Sequence, residues 1–203
     1  DHLAGDTTSD SWMLLVRARA EEQRLAPGEA SSDRRLVAGG RQGPVPRADS
    51  TAAGRAIGFF SQAMRHEDVR EEANLRRAHV HIGLRQYSTA LDLLANTRLT
   101  DPSLEYLRNL FRGLALERLN RVEEAMAAYN AALTVGPRAH SGTMALATLL
   151  FRQGQGHRPK AYYLIEDLLK DDDPRGDPWW SYYQGNYRFW HRDLQRVRES
   201  ISK

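Results

Sequence analysis

The stretch that decides the fold runs from Gly113 to Pro137, GLALERLNRVEEAMAAYNAALTVGP. Two helical patterns meet there at the turn Leu119-Asn120-Arg121. The second puts Ala125, Tyr129 and Ala132 on one face, because residues three and four apart are neighbours on a helix. The small side chains admit a close neighbouring helix, and Tyr129 fills the space between them. The same small, large, small spacing recurs at Ala56, Phe60 and Ala63, at Ala90, Leu94 and Thr97, and at Ala161, Ile165 and Leu168. The leading alanines step by 34, 35 and 36 residues. A period of that size marks an array of repeated units, each too small to bury its apolar face alone.

The helices between these alanine helices follow. Glu71 to Leu84 pairs with Ser88 to Asn96, Leu104 to Leu119 with Val122 to Thr134, and Ser141 to Gln153 with Pro159 to Lys170. Asp101-Pro102, Gly136-Pro137 and Pro174 punctuate the ends, as proline does where a helix must stop. Gly154 to His157 lengthens the turn of the last pair by about two residues over the roughly 34-residue repeat. Upstream, Trp12 to Arg24 supplies a first helix for the Ala56 helix. Between them lies Gly28 to Ser50, rich in Gly, Ser, Pro and Arg, with too little apolar content to order itself. Asp177-Pro178 then opens a terminal helix, where Trp180, Tyr183, Tyr187, Trp190, Leu194, Val197 and Ile201 form one apolar stripe.

The spacing Gly113, Leu116, Ala125, Tyr129, Pro137 resembles the tetratricopeptide repeat. The resemblance implies an all-α, right-handed solenoid of about four helix-turn-helix repeats closed by a C-terminal capping helix. Residues 1–27 would be a lead-in and the first helix of the first repeat, 28–50 a flexible insertion, 51–174 the rest of the array, and 175–203 the aromatic cap. The arrangements PRAHS and DPWWxYxxG also look like the C-terminal part of certain exported bacterial repeat proteins of unassigned function. That likeness favours an exported, periplasmic or extracellular bacterial location over a cytoplasmic one. The chain begins at Asp1 without a signal-like segment, which reads as processed or trimmed.

By the same resemblance, the first helix of each pair lines a concave groove. Its inward residues would be Leu75, His79 and Ile82, then Leu107, Leu110, Leu114 and Glu117, then Met144, Thr148 and Phe151. Family members that clamp a terminal carboxylate carry Lys, Arg and Asn at such sites. Leu75, His79, Leu110 and Phe111 stand here instead, so the groove suits an apolar helix or extended peptide. The alternative is that the chain's own cap or insertion covers it.

Two further features could contact a protein partner or neighbouring subunits of a larger assembly. Arg34, Arg35, Arg41 and Arg47 give the insertion a local charge of +4 from Arg34 to Ala48, suited to carboxylates or phosphates. No aromatic residue is interleaved for base stacking, which disfavours single-stranded nucleic acid. In the cap, Trp179, Tyr182 and Phe189 lie off the apolar stripe, where exposed aromatics would make an interface.

Little in the composition suggests chemistry. The net charge is +3, from 29 basic and 26 acidic residues, so no global basic excess invites nucleic acid. Cysteine is absent, which removes disulfides and thiolate sites. The longest apolar runs, such as Met144 to Phe151, fall well short of the roughly 18 to 20 residues a membrane span needs. His79 and His81 point apart on one helix, while His140, His157 and His191 sit in separate elements, so no metal site is expected. Asp171, Asp172, Asp173 and Asp177 lack the alternating ligands and closing Glu of a calcium loop. Arg175-Gly176-Asp177 spells an adhesion tripeptide, but Asp177 already serves as a cap. Glu21-Glu22 and Glu123-Glu124 read as adjacent pairs on helix surfaces whose carboxylates diverge. No catalytic residue and no cofactor is therefore expected; the sequence points to a non-catalytic interaction scaffold or a structural subunit.

Overall fold

The computed structural model describes residues 10–22, 50–95, 99–170 and 176–183. Among them every regular element is a helix. These are α1 (10–22), α2 (Ser50–Ala63), α3 (Arg70–Gly83), α4 (Tyr87–Ala95), α5 (Pro102–Arg118), α6 (Val122–Val135), α7 (His140–Arg152), α8 (Arg158–Leu168) and α9 (Pro178–Tyr183). The expected helix boundaries hold to within about two residues, the usual fraying of helix ends. The insertion, the four arginines it carries and the cap beyond Tyr183, including Phe189, lie outside the described residues.

Local chemistry sets the breaks. Asp101 caps α5 by accepting from the Ser103 amide at 2.7 Å, and Pro102 sits in the first turn, where its missing N–H is no loss. Arg85, Asn120 and Gly154 all have positive φ, at 61°, 59° and 99°. Each falls in the turn that follows the first helix of a pair, 35 and then 34 residues apart. The left-handed residue reverses the chain after α3, α5 and α7. It comes easily to glycine, is tolerated by asparagine and is disfavoured for arginine. After α7 the extra length is taken up by a 3₁₀ turn, Gln155–His157.

Each helix packs on its successor from α2 to α8. In addition α3 packs on α5, α5 on α7, and α9 on α5. Ala56, Ala90, Ala125 and Ala161 are all completely buried, so the periodic alanines lie inside the packing between helices. Phe60, Leu94 and Tyr129 fill the space beside three of them. At Gly113 the fit is tightest, since a Cβ there would lie 2.4 Å from the Tyr129 ring. One apolar core joins α3 through α9, and a second joins α1, α2 and the other side of α3. Helix α3 is therefore buried on two sides, which brings its remaining polar face under α1 and α9.

Candidate functional site

The polar side of α3 follows from its sequence, REEANLRRAHVHIG. Glu72 and Arg76 are one turn apart and His79 continues the same line. The Glu72 Oε1 atom accepts from Arg76 Nε at 2.7 Å and also pairs with Arg19 of α1. Arg76 Nη1 donates to Glu22 Oε2 at 3.1 Å, and Glu22 Oε1 lies 3.1 Å from His79 Nδ1. Arg19 and Glu22 are three residues apart on α1, so both face α3. Two carboxylates and two guanidinium groups alternate, and their charges balance.

Burial sets the electrostatics of this cluster. Burial pushes the Glu72 carboxyl up, but Arg76 and then Arg19 outweigh it and hold the group at about 2. Glu22 is likewise lowered, with burial opposed first by Arg76 and then by His79 and Tyr182. Burial disfavours the charged Arg76, yet Glu72 and Glu22 reverse the balance and raise it. Both carboxylates are thus fixed as anions with committed partners. Neither is poised to exchange a proton near neutral pH.

The aromatic turn of α9 lies against this cluster. The Tyr182 hydroxyl donates to Glu22 Oε1, and the Arg76 guanidinium lies 4.3 Å from the centre of the Tyr182 ring. His79 stacks on Phe111 of α5, with ring centres 4.7 Å apart. Trp179 and Tyr182 present edges to Phe111 at 5.8 and 5.2 Å, and they stack on each other at 5.7 Å. Such geometries suit the quadrupoles of the rings. The Tyr182 hydroxyl stays protonated, because burial and the neighbouring Glu22 push its pKa well up.

Asp177 fixes the angle at which α9 enters. Its Oδ1 accepts from the Trp179 amide at 2.9 Å, capping α9. Its Oδ2 accepts from the Ser141 amide at 2.6 Å, in the first turn of α7. Ser141 Oγ donates to Asp177 Oδ1, so the Tyr106 hydroxyl must donate to Ser141 Oγ, and it accepts from the Gly142 amide at 2.8 Å. One buried carboxylate thereby ties α9 to α7 and, through Tyr106, to α5. The Ser of PRAHS and the Asp of DPWW, remote in sequence, meet here. Asp177 is only 2% exposed, its carboxylate committed to these contacts within the chain.

The residues expected to line a groove divide into two groups. Leu75, Ile82, Leu107 and Leu110 are core, and His79 and Phe111 are covered by α9. Glu117 is also engaged, accepting from the Tyr129 hydroxyl at 2.7 Å and pairing with Arg152. Leu114, Met144, Thr148 and Phe151 keep partial exposure. The expectation that Tyr182 stands as an exposed contact is corrected: it is buried, because its ring is sandwiched among Arg76, His79 and Phe111. Trp179 is partly buried in the same cluster. The reading of Glu22 as a surface carboxylate is corrected too, its side chain being 12% exposed beneath Arg76, His79 and Tyr182.

The ionic cluster was only half readable. The Glu72 to Arg76 spacing is visible in α3, but its α1 partners lie across the insertion, where no period carries over. Among the described residues no group of three or more His, Asp or Glu is placed to hold a metal ion, and no helix is long and apolar enough to cross a membrane. No protein-family model matches the chain, and no curated protein or solved structure matches it either.

Proposed function

We propose that this chain is a non-catalytic interaction scaffold of the tetratricopeptide type, binding a partner segment on the face built by the first helices of successive pairs. The observation that carries the reading is the seating of α9: a short aromatic helical turn held against α3 and α5 by ring contacts and to α1 by the Tyr182–Glu22 hydrogen bond. The face accommodates a polypeptide segment already, supplied by the chain itself. The contacts of α3 with α5 and α5 with α7, the buried alanines at a near-constant period and the recurring left-handed turn residues all favour a regular stack of helix pairs. In such a stack α3, α5 and α7 would form the inner surface.

Photocrosslinking tests this in cells of the source. A photoreactive residue replacing Thr148 or Met144, both partly exposed on α7, should trap one discrete protein. One replacing Glu123, exposed on α6, should trap none. Equal labelling from both faces would contradict a specific groove.

A second reading is a subunit of a larger assembly, and α8 favours it. Tyr162, Tyr163 and Leu169 are 55%, 65% and 75% exposed, and exposed apolar groups on and just beyond one helix suit a lateral interface. Crosslinks from Tyr163 alone would support this reading over the first.

A further inference from the structure

We infer that Trp179 and Tyr182 are the resident occupant of a recognition seat, and that the partner it takes carries the same chemistry: a helical turn with an aromatic residue three positions before a tyrosine. This rests on the scaffold reading and names the partner class for it.

The seat is complete without α9. Glu22 is paired with Arg76 and faces His79, and Arg76 is paired with Glu72 as well. Withdrawing Tyr182 would leave a carboxylate that keeps its cation, not a stranded buried charge, so occupancy is exchangeable without the large penalty of an orphaned ion. The walls are likewise supplied by other elements: Phe111 from α5, His79 and Arg76 from α3, Glu22 from α1. Over its described span, Pro178–Tyr183, the main packing partner of α9 among the helices is α5.

The chemistry of the walls selects the occupant. Glu22 Oε1 is an acceptor aimed at a hydroxyl donor, so tyrosine is favoured over phenylalanine. Arg76 lies over the ring, which favours an aromatic face and opposes a lysine or arginine there. Glu22 opposes an acidic side chain. Phe111 and His79 offer flat surfaces to a second ring one helical turn away, the position Trp179 now holds.

The test is direct binding of a synthetic peptide of residues 177–183, DPWWSYY, to the full chain. A full-length variant carrying Trp179→Ala and Tyr182→Ala should bind it at least 10-fold more tightly than the wild type, whose own α9 competes. A peptide with the Tyr182→Phe change should bind that variant about 10-fold more weakly than the parent peptide. A folded variant that ignores the peptide, or binds both peptides alike, overturns the inference. Should the double variant lose helix content, full-length Tyr182→Phe keeps the ring and removes the hydroxyl. It should bind the parent peptide more tightly than wild type, and equal binding overturns the inference. If the peptide fails while Thr148 still traps a discrete protein, only this inference falls; failure of both removes the scaffold reading as well.

Discussion

The Tyr182 hydroxyl donates to the Glu22 carboxylate across 160 residues of chain, joining α1 to α9 over the polar side of α3. The bond lies at the junction of a balanced ionic cluster and an aromatic cluster. Each arises from ordinary helical spacing, Glu72 to Arg76 on α3 and Trp179 to Tyr182 on α9. Their meeting is a tertiary event that neither helix specifies.

Packing between α5 and α6 makes the first prediction. Gly113 has no room for a methyl group, which would meet the Tyr129 ring at 2.4 Å. Gly113→Ala should therefore destabilise the chain by about 1–3 kcal/mol despite the better helix propensity of alanine. Urea unfolding at neutral pH measures it. A stabilised variant would mean that the two helices are not so closely apposed.

The same logic applies along the ladder of alanines. Ala90 and Ala125 are completely buried, so replacing either by Leu should cost about 1–3 kcal/mol through overpacking. Leu at Ala127, which is exposed on the opposite side of α6, should be within about 0.5 kcal/mol of wild type. Similar losses at all three positions would remove the periodic contact.

Asp177 caps two helices with one carboxylate. At the usual scale of about 1 kcal/mol per lost cap, Asp177→Ala should cost roughly 2 kcal/mol. Asp177→Asn should fall between, because its single oxygen serves one amide while its NH₂ group faces the other donor. Ser141→Ala should cost less than Asp177→Ala, since its amide is retained. Thermal unfolding of the three variants gives the order, and a neutral Asp177→Ala would detach α9 from α7.

Acid stability follows from Glu72. Its folded pKa of about 2 lies below the ordinary 4.5, so its contribution is fully present above about pH 4.5 and is lost as pH falls through about 2. Glu72→Gln should cost about 3–5 kcal/mol near neutrality by leaving Arg19 and Arg76 underpaired. It should also flatten the fall in stability across that acid window. Parallel pH profiles for variant and wild type would place the titration elsewhere.

Much of the helix order was legible because the contacts that set it are local or periodic. Ala125, Tyr129 and Ala132 report their burial through spacing alone, and Asp101-Pro102 marks a break, although it reads there as a stop and in the structure caps and opens α5. The left-handed role shared by Arg85, Asn120 and Gly154 was hidden, because three different residue types occupy it. The site was less legible still. Glu22 resembles any surface carboxylate beside Glu21, and only the fold brings Arg76, His79 and Tyr182 around it. The burial of Tyr182 was hidden, since helical periodicity identifies a stripe and cannot say whether a residue beside it meets a second surface.

A double-mutant cycle on Glu22 and Tyr182 tests most directly the claim that the aromatic turn is seated in this cluster. Unfolding free energies would be measured for Glu22→Gln, Tyr182→Phe and the pair. A hydrogen bond to a charged acceptor predicts a coupling of about 1–3 kcal/mol between the two changes. Additive effects, with coupling within about 0.3 kcal/mol of zero, would contradict the contact and with it the occupied seat.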